Sequence, residues 1–299
     1  MLYQTSCPRA LPLGSLMLAR MRRIPICCQV VKGILRYPHR AISLLMACPP
    51  GKWLKCERFY ALWTLRCIPR GRTVAPQVIK TWWIWFGRLG YVCFSMKIIS
   101  WNAKGLGLRN KRRMVKDFLR SKNPDVVMIQ ETKKEKCDRR FVGSVWTIRN
   151  KDWVALPACG ASGGILIIWD SKNLRSEEVV IESFSVSVKF ALDGCGPLWI
   201  STVYGLNSPS HKKDFWVELF DIYGLTYPLW CVGGDFNVIR RSSEKMGGSS
   251  LTPSMRDFDS FIRECELLDP PLQKASFTWS NLQEYPVCKR LDRFLYSNE

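Results

Sequence analysis

A chain of 299 residues with 47% hydrophobic content has ample apolar material for a globular core, which excludes an intrinsically disordered protein. Its formal charge of +20 is lopsided, because residues 1–95 hold 15 Lys or Arg against Glu57 alone while residues 96–299 hold 30 against 24 acids. Such a basic balance points to a polyanionic partner, since phosphate contacts by Lys and Arg release counterions. No apolar run reaches the roughly 18 residues of a transmembrane helix, so no membrane partner is expected. Thirteen cysteines without a C-x-x-C pair, and only His39 and His211 beside them, predict reduced, mostly buried thiols and no zinc site.

In chain order, residues 1–95 come first and read as an irregular basic segment rather than a folded domain. Prolines interrupt every short apolar run, and neither strand nor helix period is sustained. An Arg-rich, acid-poor start admits a targeting presequence. The irregularity outlasts a presequence, however, and sequence never selected to fold is the preferred reading, with Met96 as a natural start of the domain that runs to residue 299.

From Met96 the pattern becomes regular. KIISW at 97–101 reads as a buried strand, followed by a glycine loop and a helix near Arg109–Ser121 with Met114, Val115, Phe118 and Leu119 on one face. DVVMIQ at 125–130 is a second buried strand, and further strands are expected at 164–169, 179–184, 186–190 and 198–204. A helix near His211–Tyr223 and a strand at 229–233 come next. Ser254 and Asp257 predict a capping box opening a helix with Phe258, Phe261, Ile262 and Cys265 at core spacing. Strands at 276–279 and 290–295 complete the pattern. Mixed strands and helices of this kind predict an α/β fold, a two-sheet β-sandwich flanked by helices.

Polar residues recur where these strands stop. Asn102 follows KIISW, Glu131 follows DVVMIQ, Tyr204 and Asn207 end LWISTVYGLN, and Asp235 and Asn237 end LWCVGG; Asp292 lies within KRLDRFL. If the glycines of GGDFN bend the chain at a strand end, alternation points Asp235 and Asn237 into one cleft and Phe236 into the core. The set suits phosphodiester hydrolysis. Glu131, with Asn102 beside it, is a candidate ligand for a hard divalent ion that keeps several waters. Asp235 can orient or deprotonate the attacking water, while Asn237 and Tyr204 donate hydrogen bonds to non-bridging phosphate oxygens.

The ordered segments SWNAKGLG, IQET, VYGLN, GGDFN, FTWSN and RLDRFL resemble the endonuclease/exonuclease/phosphatase superfamily. Their wording is most similar to the apurinic-endonuclease-like domain of plant LINE-type (non-LTR) retrotransposon reverse-transcriptase polyproteins. The resemblance covers residues 96–299 and implies a four-layer, DNase I-like sandwich that nicks DNA with Mg2+, or Mn2+ in its place. It places Asn102 and Glu131 at the metal, Tyr204 and Asn207 at the phosphate, Asp235 and Asn237 at the nucleophile, and Asp292 in a supporting role. Nuclear localisation is then expected, ahead of organelle targeting. Lys104 stands where repair members carry an acid, although LINE-type members commonly have a base there. The family's closing Ser-Asp-His element is not found before Glu299, which predicts a fold lacking its last strand and a chain that does not cut. The alternatives are a non-catalytic nucleic-acid-binding remnant and an organelle-targeted phosphatase of the same superfamily.

Overall fold

The computed structural model describes residues 64–67, 78–88, 91–159, 162–192, 196–206, 208–246, 252–272, 276–281, 283 and 285–297. The first sheet takes β1 (Thr64–Cys67), β2 (Val78–Arg88), β3 (Tyr91–Asn102), β4 (Val126–Gln130), β5 (Asp152–Cys159) and β6 (Ser162–Trp169), in the order β1-β2-β3-β4-β6-β5. The second takes β7 (Arg175–Ile181), β8 (Ser185–Leu192), β9 (Gly196–Tyr204), β10 (Trp230–Asp235), β11 (Leu267–Leu268) and β14 (Asp292–Ser297), in the order β11-β14-β10-β9-β8-β7. A small hairpin pairs β12 (Trp279–Ser280) with β13 (Cys288–Lys289). Helices α1 (Arg109–Lys122), α2 (Arg139–Val145), α3 (Pro209–Thr226) and α4 (Pro253–Glu264) flank the sheets.

Alternation within the strands explains the layers. Met96 and Ile98 of β3, with Val126 and Met128 of β4, join Val186, Val188 and Phe190 of β8 in the core between the sheets. Their odd neighbours Ile99, Trp101, Val127 and Ile129 turn outward against Val115 and Leu119 of α1 and Val142 and Val145 of α2. The second sheet's outer face, with Val203, Val232 and Leu295, packs on Phe215 and Leu219 of α3 and Phe258 and Phe261 of α4. Because β4 is buried on both faces, DVVMIQ reads as a continuous apolar run rather than an alternating one. The order is therefore helix, sheet, sheet, helix.

The expected irregularity of residues 1–95 is corrected over its described part. β2 runs antiparallel to β3 from Ile79 opposite Trp101 to Arg88 opposite Tyr91, and β1 pairs β2 in turn. The overlooked signal is the β-branched and aromatic run VIKTWWIWFGR, whose propensity favours a strand without a strict period. Other residues of 1–95 lie outside those described.

The capping box at Ser254 and Asp257 is also corrected. Helix α4 starts two residues earlier, with Thr252 accepting a hydrogen bond from the Met255 N–H at 3.4 Å and Pro253 in the first turn, where its missing N–H is harmless. Of the described cysteines, Cys231 and Cys265 are buried, Cys137 and Cys288 half-buried and Cys159 exposed, so the thiols are less uniformly buried than expected. Among the described residues no helix is long and apolar enough to cross a membrane.

Candidate active site

The two glycines of β10 have separate reasons. A Cβ on Gly233 would run into the Phe294 ring and press Met128 Cε at 3.1 Å, so this glycine admits the core. Gly234 has φ +147°, and a Cβ there would collide with the Val203 carbonyl of the neighbouring parallel strand. Strand β10 is thereby drawn close to β9 and delivers Asp235 as its last residue, 5% exposed. Register places Tyr204 beside it on β9 and Asp292 beside it on β14. Phe236 then enters the outer core, stacked on Phe258 at 5.2 Å and edge-on to Phe215 at 6.2 Å.

Asn237 reaches the cleft by another route than strand alternation. It has left β10 with φ +51°, so its backbone N–H donates to Asp235 Oδ1 at 3.0 Å while its Nδ2 donates to the Gly205 carbonyl at 2.6 Å. The Gly205 N–H returns a bond to the Asp235 carbonyl at 2.8 Å. Asn237 thus holds the acid in place from both sides of the turn.

The first sheet supplies the opposite wall. β3 and β4 are parallel with Asn102 opposite Gln130, and the loops after them stay paired: Ala103 N–H to Gln130 O at 2.9 Å, Gly105 N–H to Glu131 O at 2.6 Å and Leu106 N–H to Thr132 O at 2.9 Å. Fully buried Gln130 ties the sheets together, with Nε2 donating to Ser100 Oγ at 3.1 Å and across to Thr202 Oγ1 at 2.7 Å. Above it, Asn102 Nδ2 donates to Asp235 Oδ2 at 2.6 Å. This hydrogen bond joins the strand ends of the two sheets.

Glu131 turns away from β4 with φ +53° and pairs with Lys133 Nζ at 3.2 Å. Burial, and then the charges of Glu131 and Asp235, push the Tyr204 phenol above its ordinary range; both carboxylates therefore bear on one hydroxyl. Lys111 is lowered by burial, against the attraction of Glu131, with Lys104 and Lys133 adding like charge. Lys104 was singled out in the sequence, but Lys111 and Lys133 were overlooked, although the KK after IQET and the basic start of α1 are their traces. Asp292 is 8% exposed, and its N–H, like that of Leu291, donates to Thr278 Oγ1, at 3.1 and 2.9 Å respectively. Asn207 lies outside the described residues.

Backbone strain marks the same place. Of the six described non-glycine residues with positive φ, Asn123 and Glu266 follow helices, whereas Lys104, Glu131, Lys133 and Asn237 all sit on the turns after β3, β4 and β10. Each such conformation costs about 1–3 kcal/mol unless its surroundings enforce it, and such residues gather at working sites.

Residues 99–299 match the Endonuclease/Exonuclease/phosphatase family. The chain belongs to this family. No curated protein matches it. Among solved structures it is similar to the AP endonuclease LMAP from Leishmania major, with TM-score 0.53 and 16% identity over 67% of this chain and 78% of that one. The 3'-5' exonuclease NExo from Neisseria meningitidis gives TM-score 0.52 and 16% identity over 68% and 87%. The endonuclease domain of TRAS1, a telomere-specific non-LTR retrotransposon, gives 0.50 and 12% over 67% and 84%. At these identities the likeness shows the fold, a DNase I-like α/β sandwich.

The donor set fits a hard, water-rich divalent ion rather than a closed metal cage. Glu131 contributes a carboxylate and Asn102 Oδ1 an amide oxygen with a lone pair left after it accepts the Lys104 N–H at 3.1 Å. Among the described residues no group of three His, Cys, Asp or Glu could hold a metal.

Proposed function

We propose that this chain carries a divalent-metal-dependent phosphodiesterase domain of the retrotransposon endonuclease type, acting on DNA. The observation that carries the reading is the 2.6 Å bond from Asn102 to Asp235, which joins an amide and an acid where the two sheets meet, with Tyr204 opposite Asp235 on the neighbouring strand. Nuclease names among the similar folds, one of them a retrotransposon domain, support it.

Glu131 and Asn102 would hold the ion, which when bound neutralises charge on a phosphate oxygen. Asp235, fixed by Asn102 and by the Asn237 N–H, is placed to orient a water and take its proton. Tyr204 remains a phenol, held protonated by burial and two carboxylates, and so can only donate to phosphate. Asn237 spends one amide hydrogen on Gly205 and keeps the other for a non-bridging oxygen. Asp292 supports Asp235 from the adjacent strand.

A second reading, binding without cutting, is favoured by the Lys133 ammonium, which pairs with the Glu131 carboxylate that would hold the ion. The 299-residue polypeptide should nick supercoiled plasmid only with Mg2+ or Mn2+, and about 10²- to 10⁴-fold more slowly or not at all as Glu131→Ala or Asp235→Ala. Plasmid retardation without metal-dependent nicking would favour the binding reading; neither binding nor nicking would overturn both.

A further inference from the structure

Next to the cleft, the turn after β10 and the outer face of α4 enclose a cavity of about 680 Å³ lined by Arg240, Arg241, Ser242, Arg256, Asp259 and Arg263, with Met255 and Ser260. Four guanidinium groups there face a single carboxylate. Asp259 is used up within the wall, accepting from Arg240 Nε at 2.8 Å and pairing with Arg263 Nε at 3.1 Å. Arg241 and Arg256 are exposed and have no ion-pair partner among the described residues. Surplus positive charge in a concave wall, carried by planar forks rather than flexible ammonium groups, is the arrangement that matches phosphate oxygens two at a time.

The wall is also preorganised. Arg240 reaches Asp269 Oδ2 at 3.5 Å, and its backbone N–H donates to Glu244 Oε2 at 2.6 Å. Beneath it Arg290 binds Asp269 at 2.7 Å, and fully buried Arg293 binds Asp269 at 2.8 Å and also pairs with Glu244. A buried network of this size does not secure net stability, but it fixes the backbone from which the outer arginines project. Only three residues separate Asn237 from Arg241, so their Cα atoms lie at most about 14 Å apart. At about 3.4 Å of rise per nucleotide along one strand, that Cα span corresponds to about four nucleotides before the reach of the arginine side chains is added.

We infer that the cavity lined by Arg240, Arg241, Arg256 and Arg263 is a second phosphate site, which holds a backbone phosphate of the nucleic acid a few nucleotides from the Asn102–Asp235 cleft. This rests on the phosphodiesterase reading and adds to it a register for the strand being cut. A free phosphate compound shares the chemistry but not the need for a neighbouring cleft.

The test uses the 299-residue chain with Arg241→Ala and Arg256→Ala together, and Lys172→Ala with Arg175→Ala as a control of equal charge on the far strand β7 and its preceding turn. Binding of a fluorescent 20-base-pair duplex is followed by anisotropy across a salt series, and inorganic phosphate is titrated by calorimetry. The cavity pair should weaken duplex binding about tenfold or more and lower the logarithmic salt slope by about one to two, while the control changes neither by more than about twofold. Equal losses in both pairs, or no loss in the cavity pair, overturn the inference and leave the phosphodiesterase reading standing. Phosphate binding abolished in the cavity pair with duplex binding unchanged assigns the cavity to a free phosphate and equally overturns it. A parent chain that binds no duplex at low salt overturns the phosphodiesterase reading along with it.

Discussion

Gly234 shows at the scale of one residue how backbone geometry makes the site. Its φ of +147° and the Val203 carbonyl packed against its Cα leave no room for a side chain, so Gly234→Ala must either push β10 off β9 or abandon that conformation. Combined strain and overpacking should cost about 3 kcal/mol. Urea unfolding of the two proteins measures this directly, and a loss below about 1 kcal/mol would mean that the close approach is not enforced. The same scale shows what the sequence could and could not disclose. That Phe236 is core and its neighbours polar was legible from GGDFN, because an aromatic between two polar residues fits a chain with one wet side. That Asn237 would reach Asp235 through a left-handed turn was not, since alternation and a turn of positive φ predict the same neighbour by different paths. Nor were Lys111 and Lys133 legible at the cleft, because lysines near strand ends are ordinary and only tertiary placement sets them around Glu131.

At the scale of elements, the strands with two buried faces were the readable ones: β4, β9 and β10 were expected within a few residues of where they lie. Strand β5, with only Val154 buried among mixed residues, carried no period strong enough to find it. Strand β2 was hidden by the unpatterned sequence before it, and its pairing along β3 moves the proposed start of the domain to before Val78 instead of Met96. A chain beginning at Met96 would leave β3 as an unpaired edge, so it should unfold at a lower temperature and aggregate more readily than one beginning at Thr64. Equal melting temperatures would restore the boundary at Met96. Helix α3 is tied to the β7–β8 turn by Glu218, which accepts from Ser185 Oγ at 2.6 Å and from the N–H groups of Ser183 and Phe184 at 3.0 and 3.1 Å. Burial nevertheless raises this carboxyl from 4.5 to about 7, with Glu182 adding repulsion. An acid whose folded pKa is raised keeps its proton in the folded chain after the unfolded chain has released it. Stability contributed by Glu218 must therefore be full below about pH 4.5, fall as pH rises toward 7, and level off above that. The melting temperature should fall between these pH values in the parent but not in Glu218→Gln, so that the two curves draw apart as pH rises; parallel curves would exclude Glu218 as the group responsible.

For the whole molecule, charge is distributed unevenly along the patterned part of the chain. Residues 97–151, which carry α1, α2 and the turn bearing Glu131, hold 16 Lys or Arg against 5 acids, whereas residues 152–299 hold 14 against 19. The modest excess of the patterned region is thus a strongly basic stretch, the α1–α2 flank, followed along the chain by a mildly acidic remainder. Lys136, Arg139 and Arg140 are exposed on and before α2, and Lys104 and Arg109 are exposed between the cleft and α1. A duplex entering the cleft should also contact this flank, because each neutralised phosphate releases counterions. Replacing Lys136, Arg139 and Arg140 by alanine touches neither the cleft hydrogen bonds nor the core, so stability should stay within about 0.5 kcal/mol. The logarithmic salt slope of duplex binding should fall by about one for each phosphate that the variant no longer neutralises, and affinity should drop for every duplex sequence alike. Anisotropy with two unrelated duplexes, each over a salt series, makes the comparison. A slope unchanged in the triple variant, or a weakening confined to one duplex, would show that the basic flank is a solvated face and that the nucleic acid approaches from elsewhere.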